Sequence, residues 1–227
     1  MVEQKKKKTV AVRIDDSSAA AIECSDGMLQ VLSSVYNVRQ FTASDVTPAL
    51  FAGVDLIVIP GGVGEADDYW QYFPRHAGNA IADYVAQGGH YLGVCIGAYW
   101  ADRRYIDLFS SDCIRVVQYI RQPTADIRRS YNTVANVIWE GERHNVYFRD
   151  GCTFIGDPLE YHTIATYANG QPMAIARNNI ALIGGCLDSQ LSWYQATPRL
   201  LPHWHGGRQH LLLLTVIDRL LQGKYLL

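Results

Sequence analysis

Gly93-Val94-Cys95-Ile96-Gly97 is the stretch whose residue types and spacing point most directly to chemistry. An apolar run enters it and a helix-forming run leaves it, so Cys95 is expected on a strand-to-helix turn. A side chain on such a turn stands clear of the sheet, and flanking glycines remove the Cβ atoms that would clash. The sulfur also meets the unpaired N–H groups and dipole of a helix start, which favour thiolate over thiol. Upstream, Ile59-Pro60-Gly61-Gly62-Val63 closes a second apolar run. The N–H groups of Gly61 and Gly62, with that of Ile96, are candidates for an oxyanion hole on the same crevice. A bare Gly-x-Cys-x-Gly is equally compatible with a small, packed cysteine, so its setting decides.

That setting reads as α/β. Val10 to Ile14 and Val38 to Phe41 are strand candidates, with a helix-period apolar face over Gly27 to Tyr36 between them. Ser17 to Asp26, small and polar, is expected as a loop over the site. Thr47-Pro48 opens a brief helical turn. Asp55 to Ile59 is an unalternating β-branched run, the pattern of a parallel strand covered on both faces. Gly78 to Gln87 is expected as a helix stopped by Gly88-Gly89, Tyr91 to Val94 as the next buried strand, and Ile96 to Arg103 as the helix after Cys95. This rhythm predicts a doubly wound, mainly parallel sheet with helices on both faces, a flavodoxin-like three-layer arrangement.

The second half predicts extra β-hairpins. Strand candidates are Ile114 to Ile120, Val134 to Trp139, Asn145 to Phe148, Thr153 to Ile155, His162 to Tyr167, Met173 to Ala176 and Ile180 to Ile183. The last is expected to rejoin the main sheet, and His210 to Leu221 closes the chain as a helix. Residues 1–9 are expected as a disordered basic tail and residues 10–227 as a single domain.

A formal charge of −2 gives no global field toward nucleic acid or anionic lipid. No apolar run reaches transmembrane length. The five cysteines form no CxxC pair, which fits a reducing compartment, and a cytoplasmic location is expected. No cofactor and no metal site is expected. The expected partner is a small-molecule substrate or ligand, with a homodimer left open, and neither nucleic acid nor a membrane.

The order Pro60-Gly61-Gly62, helix, then Gly89-His90-Tyr91-Leu92-Gly93-Val94-Cys95-Ile96-Gly97-Ala98-Tyr99 resembles the class I glutamine amidotransferase-like superfamily, which includes the DJ-1/PfpI proteins. Within it the stretch is most similar to the biotin-protein-ligase N-terminal group, as are Ile164 to Tyr167 and Pro172 to Ala176. Biotinylation is not expected, because these 227 residues read as one domain with no separate ligase domain expected within them. The resemblance implies Cys95 as nucleophile and a His and Glu in a G-x-H-P-E motif after the last core strand. Here that strand runs into Gly184-Gly185-Cys186-Leu187-Asp188, so Cys186 falls at the His and Asp188 at the Glu. A one-residue shift brings Leu187 to the His position, and neither register supplies an imidazole. A thiol is a poor general base, so ordinary glutamine hydrolysis is not expected.

Tyr99 stands where glutaminases of this class tend to carry Gln, and is a candidate substrate contact. His162 (with Glu160 nearby), His203, His205 and His210 are candidates to replace the missing base. In DJ-1-like relatives an acid after the first strand approaches the nucleophile, a place open here to Asp15, Asp16 or Glu23. Asp67 and Asp68, with Tyr69, Trp70, Tyr72, Tyr99 and Trp100, are expected along the mouth of the site. Three functions stay open: a cysteine-dependent amidase- or transferase-like enzyme, a non-catalytic binding or regulatory domain, and a redox-responsive thiol protein using Cys95 and Cys186.

Overall fold

Short, unalternating apolar strands form the centre of the sheet, because both their faces are covered by helices. In the computed structural model, which describes residues 7–62, 69–109 and 113–227, the chain runs β1 (Thr9–Arg13), α1 (Ala19–Ser33), β2 (Asn37–Phe41), β3 (Leu56–Ile59), α2 (Tyr69–Tyr72), α3 (Arg75–Ala86), β4 (His90–Val94) and α4 (Ile96–Trp100). It continues through β5 (Ile114–Gln118), β6 (Thr133–Trp139), β7 (Glu142–Phe148), β8 (Cys152–Gly156), β9 (His162–Tyr167), β10 (Pro172–Arg177), β11 (Ile180–Ile183), α5 (Leu191–Gln195) and α6 (Arg208–Leu221). A nine-stranded sheet has the order β2-β1-β3-β4-β11-β10-β9-β6-β7, and β5 pairs separately with β8.

Strands β2, β1, β3, β4 and β11 are mutually parallel. From β11 onward the pairing is antiparallel. The expected hairpins therefore extend the main sheet through β11, with only β5 and β8 standing apart among the described residues. Alternation within β1 shows the layering. Val10 and Val12 pack with Met28 and Leu32 of α1 and with Leu213 and Ile217 of α6. Ala11 turns to the other face, with Phe73, Ile81 and Trp100. Each such fully buried large side chain contributes roughly 1.5–3 kcal/mol.

The start of α1 differs from the sequence expectation. Ser17 to Asp26 is not a loop: Ser18 caps a helix beginning at Ala19, its Oγ accepting from the Ala21 N–H at 3.2 Å. The apolar periodicity becomes visible only at Met28, whereas the cap and the Ala-rich first turn start the helix earlier. This puts Cys24 on a helix that faces the carboxyl ends of the parallel strands. At the end of α3, Gly88 takes φ 92° and the Gly89 N–H bonds Tyr84 O at 2.9 Å, closing the helix as the glycine pair predicts. The tail expected to be disordered is ordered at its end, since Lys8 pairs with Asp55 at 2.7 Å and Thr9 opens β1, while residues 1–6 lie outside the described residues.

Candidate functional site

The turn after β4 is built by glycine. A Cβ on Gly93 would lie 2.4 Å from the Gly97 carbonyl oxygen, and one on Gly97 would lie 2.1 Å from Ile59 O. Only two glycines let the first turn of α4 sit on the ends of β3 and β4. The Tyr91 hydroxyl, fully buried, donates to Gly97 O at 2.7 Å and fixes that turn from beneath. Cys95 between them has φ 52° and ψ −110°, a conformation that costs a non-glycine residue roughly 1–3 kcal/mol. Its N–H is held by Ile183 O of β11 at 2.8 Å.

Four groups converge here. The point where a Gly61 Cβ would stand is 3.6 Å from Cys95 Cβ, 3.9 Å from Cys24 Sγ and 4.0 Å from Asp188 Oδ2. The missing side chain of Gly61 thus leaves a small recess walled by two thiols and a carboxyl. Gly62 is tighter, since its Cβ would come 3.0 Å from Ile96 Cγ2. Cys186 is close enough to Cys95 for the two thiols to interact directly. That interaction, then burial, then the nearby Cys95, Asp188 and Cys24, push the Cys186 thiol well above its ordinary pKa, so the proton stays on Cys186.

Asp188 is completely buried, and neither oxygen makes a well-formed hydrogen bond to a described residue. Desolvation raises its pKa to about 7; its own peptide N–H and that of Gly61 pull the other way without overcoming burial. Cys24 is pushed up by burial first and then by Asp188 and Cys95. Cys152 is likewise raised by burial and next by Cys95. Leu187, the residue of the shifted register, is packed in the core with no exposure.

A roof covers the cysteine. The Cys95 thiol donates weakly to Arg149 O at 3.9 Å. Tyr99, one helical turn on, donates to Asp150 O at 3.0 Å and Gly151 O at 3.2 Å, tying α4 to the turn between β7 and β8. Gly151 is wedged there, because a Cβ would meet Gly184 O at 2.0 Å. Arg149-Asp150-Gly151 reads in the sequence only as a turn; its role over Cys95 depends on a long-range contact with no sequence signature.

The histidines stand elsewhere. The His210 ring, drawn below its ordinary pKa by burial, bonds Ser189 O at 2.8 Å. His203 meets the Asn145 amide at 2.9 Å, and His205 stacks edge-on to His203. His162 reaches Leu226 O at 3.4 Å, while Glu160 pairs with Arg177 at 2.8 Å. Among the described residues no histidine is a hydrogen-bond partner of Cys95, Cys186 or Asp188.

Of the N-terminal acids, Asp15 is paired with Arg13 at 3.1 Å, whereas Asp16 and Glu23 are exposed. Burial raises the Asp15 pKa, but the Ser17 hydroxyl and N–H and the Arg13 cation outweigh it, leaving the carboxyl below its ordinary value. The aromatic rim is not a rim where it is described. Tyr69 and Trp100 are sealed in the core with Phe73, and the Arg13 guanidinium lies 4.9 Å over the Trp100 ring. Val63, Asp67, Asp68 and the side chains of Trp70 and Tyr72 lie outside the described residues. No group of three or more metal-ligating side chains is assembled among the described residues. Sequence reasoning missed Cys24, whose signal was the Ser18 cap that makes residues 19–33 a helix.

Sheet order and helix placement match a glutamine amidotransferase-like α/β fold. Residues 14–112 match the family described as biotin-protein ligase, N terminal. The chain is similar to a glutamine amidotransferase from Thermotoga maritima, at 12% identity and TM-score 0.67, over 96% of this chain and 99% of that one. It is similar to a glutamine amidotransferase from Methylobacillus flagellatus, at 16% identity and TM-score 0.54, over 85% and 76%. A ThuA-like protein from Bacteroides uniformis matches at 11% identity and TM-score 0.57, over 95% and 91%. No curated protein sequence matches the chain.

Proposed function

We propose that this amidotransferase-like crevice performs reversible thiol chemistry centred on Cys95, with Cys186 as the second thiol, and does not hydrolyse glutamine. The observation that carries the reading is the direct thiol–thiol neighbourhood of Cys186 and Cys95, at the place where a triad imidazole would take the proton. A buried, protonated thiol cannot act as that base. It can resolve an oxidised cysteine. A hydroperoxide transfers one oxygen to the Cys95 thiolate, giving a sulfenic acid and releasing an alcohol or water. The Cys186 sulfur then attacks the Cys95 sulfur, water leaves with the Cys186 proton, and a disulfide remains. A dithiol reductant returns both thiols by taking the two oxidising equivalents.

A second reading has its own support. Asp188, near half-ionised at neutral pH and without a partner among the described residues, is suited to moving a proton beside Cys95 in an amidase- or transferase-like step. Gly61, Gly62 and Ile96 would then present N–H groups to the developing oxyanion, with Tyr99 holding the roof. Peptide mapping without reductant after mild hydroperoxide, run beside an ammonia assay with glutamine, separates the two. A Cys95–Cys186 crosslink with no ammonia supports the first reading. Ammonia release that depends on Cys95 and Asp188 supports the second. Among the described residues no helix is long and apolar enough to cross a membrane.

A further inference from the structure

Away from Cys95, a cleft of about 980 Å3 opens between the β6–β7 hairpin and the start of α6. Arg143 and His144 reach it from β7, His205 and Arg208 from the helix side, and Leu212 supplies an apolar surface. Both arginines are exposed, and no acidic side chain pairs with Arg143 among the described residues.

The one carboxylate seen at this cleft among the described residues shows what it can hold. Glu142 Oε2 sits 3.3 Å from Arg208 and 3.8 Å from His144 Nε2, on a side chain that is 70% exposed and free to swing out. An oxyanion is thus already seated between a guanidinium and an imidazole. Arg143 also lines this cleft, so displacing Glu142 leaves two arginines and an imidazole along its walls. Guanidinium forks bind carboxylate and phosphate alike, but a doubly charged phosphate monoester gains more from two cations than a singly charged carboxylate does. Burial and then Arg208 lower the His144 ring pKa, with the Glu142 carboxylate opposing them, so a second negative charge beside the ring raises it. The cleft lies near the upper end of the range that accommodates small-molecule ligands, which leaves room for more than an inorganic ion.

We propose that this cleft binds a small organic molecule carrying a phosphate-monoester group, with the phosphate between Arg143, Arg208 and His144 and the organic body along Leu212. The site is independent of the thiols.

The test titrates the full-length chain with phenyl phosphate, inorganic phosphate and benzoate by calorimetry, and follows the histidine rings by NMR. Phenyl phosphate should bind saturably, about tenfold or more tighter than either benzoate or inorganic phosphate, an increment of about 1.4 kcal/mol. R143A and R208A should each weaken it about tenfold, the usual worth of a charge-assisted contact, while E142Q tightens it. R115A, an exposed arginine on the distant β5, serves as the charge control and should leave binding unchanged. The His144 ring pKa should rise on binding. Non-saturable binding overturns the proposal. So does equal loss in R143A and R115A, or phenyl phosphate binding no tighter than benzoate or inorganic phosphate.

Discussion

Cys186 and Cys95 are direct neighbours, and that contact, with burial, keeps the proton on Cys186. A pair of sulfurs so arranged differs from a thiol–imidazole pair in one respect that matters for chemistry. The imidazole takes a proton at neutral pH, whereas a protonated thiol takes none. Glutamine supplied at millimolar concentration should therefore release no ammonia above the Cys95→Ser blank. Cys95-dependent ammonia would show that another group supplies the base.

Gly61 offers a test of the recess that needs no assumption about reaction. Its missing Cβ would make ordinary contacts of 3.6, 3.9 and 4.0 Å with Cys95, Cys24 and Asp188. Gly61→Ala should therefore fold with stability within about 1 kcal/mol of the parent. It should nevertheless slow alkylation of Cys95 severalfold, because the methyl occupies the space a reagent needs. Unchanged alkylation would mean that reagents enter by another route.

Gly97→Ala is the contrasting case. Its Cβ would meet Ile59 O at 2.1 Å, a backbone atom at the end of β3 that cannot step aside. Destabilisation of roughly 2–4 kcal/mol is expected in urea unfolding, the magnitude of a severe overpacking error. A loss below half a kilocalorie would show that the α4 turn is looser than its contacts imply.

Asp188 sets a pH dependence of stability. Its folded pKa of about 7 lies above the ordinary 3.8, so between these values the folded chain keeps a proton the unfolded chain has lost. Stability then falls as pH rises from about 4 to about 7, by on the order of 4 kcal/mol, and levels off above. Asp188→Asn should flatten that decline whatever its effect on absolute stability. A variant with the parent's slope would contradict a protonated, buried carboxyl.

The parallel core was legible because its signals are local. Asp55 to Ile59 and Tyr91 to Val94 announce buried strands by composition, and Gly93 and Gly97 announce the turn because only glycine fits there. Cys186 was legible through register, since it follows closely on the end of β11, the strand that pairs with β4. What escaped the sequence was tertiary. The Ser18 cap, which brings Cys24 to the recess, competed with a polar composition that reads as loop. The aromatic residues Tyr69 and Trp100 read as a rim although they stack in the core, since composition cannot tell a wall from an interior. The roof made by Arg149-Asp150-Gly151 needs the antiparallel extension of the sheet to reach Cys95, and no spacing in the chain records that closure.

Reversible chemistry at Cys95 requires Cys186 as its partner, and peptide mapping under non-reducing conditions tests that pairing most directly. After limited hydroperoxide treatment of the folded protein, a Cys95–Cys186 disulfide peptide is predicted, one that a dithiol reductant reverses and that Cys186→Ser abolishes. Recovery of both cysteines as free thiols, or irreversible oxidation of Cys95 with Cys186 untouched, would contradict it.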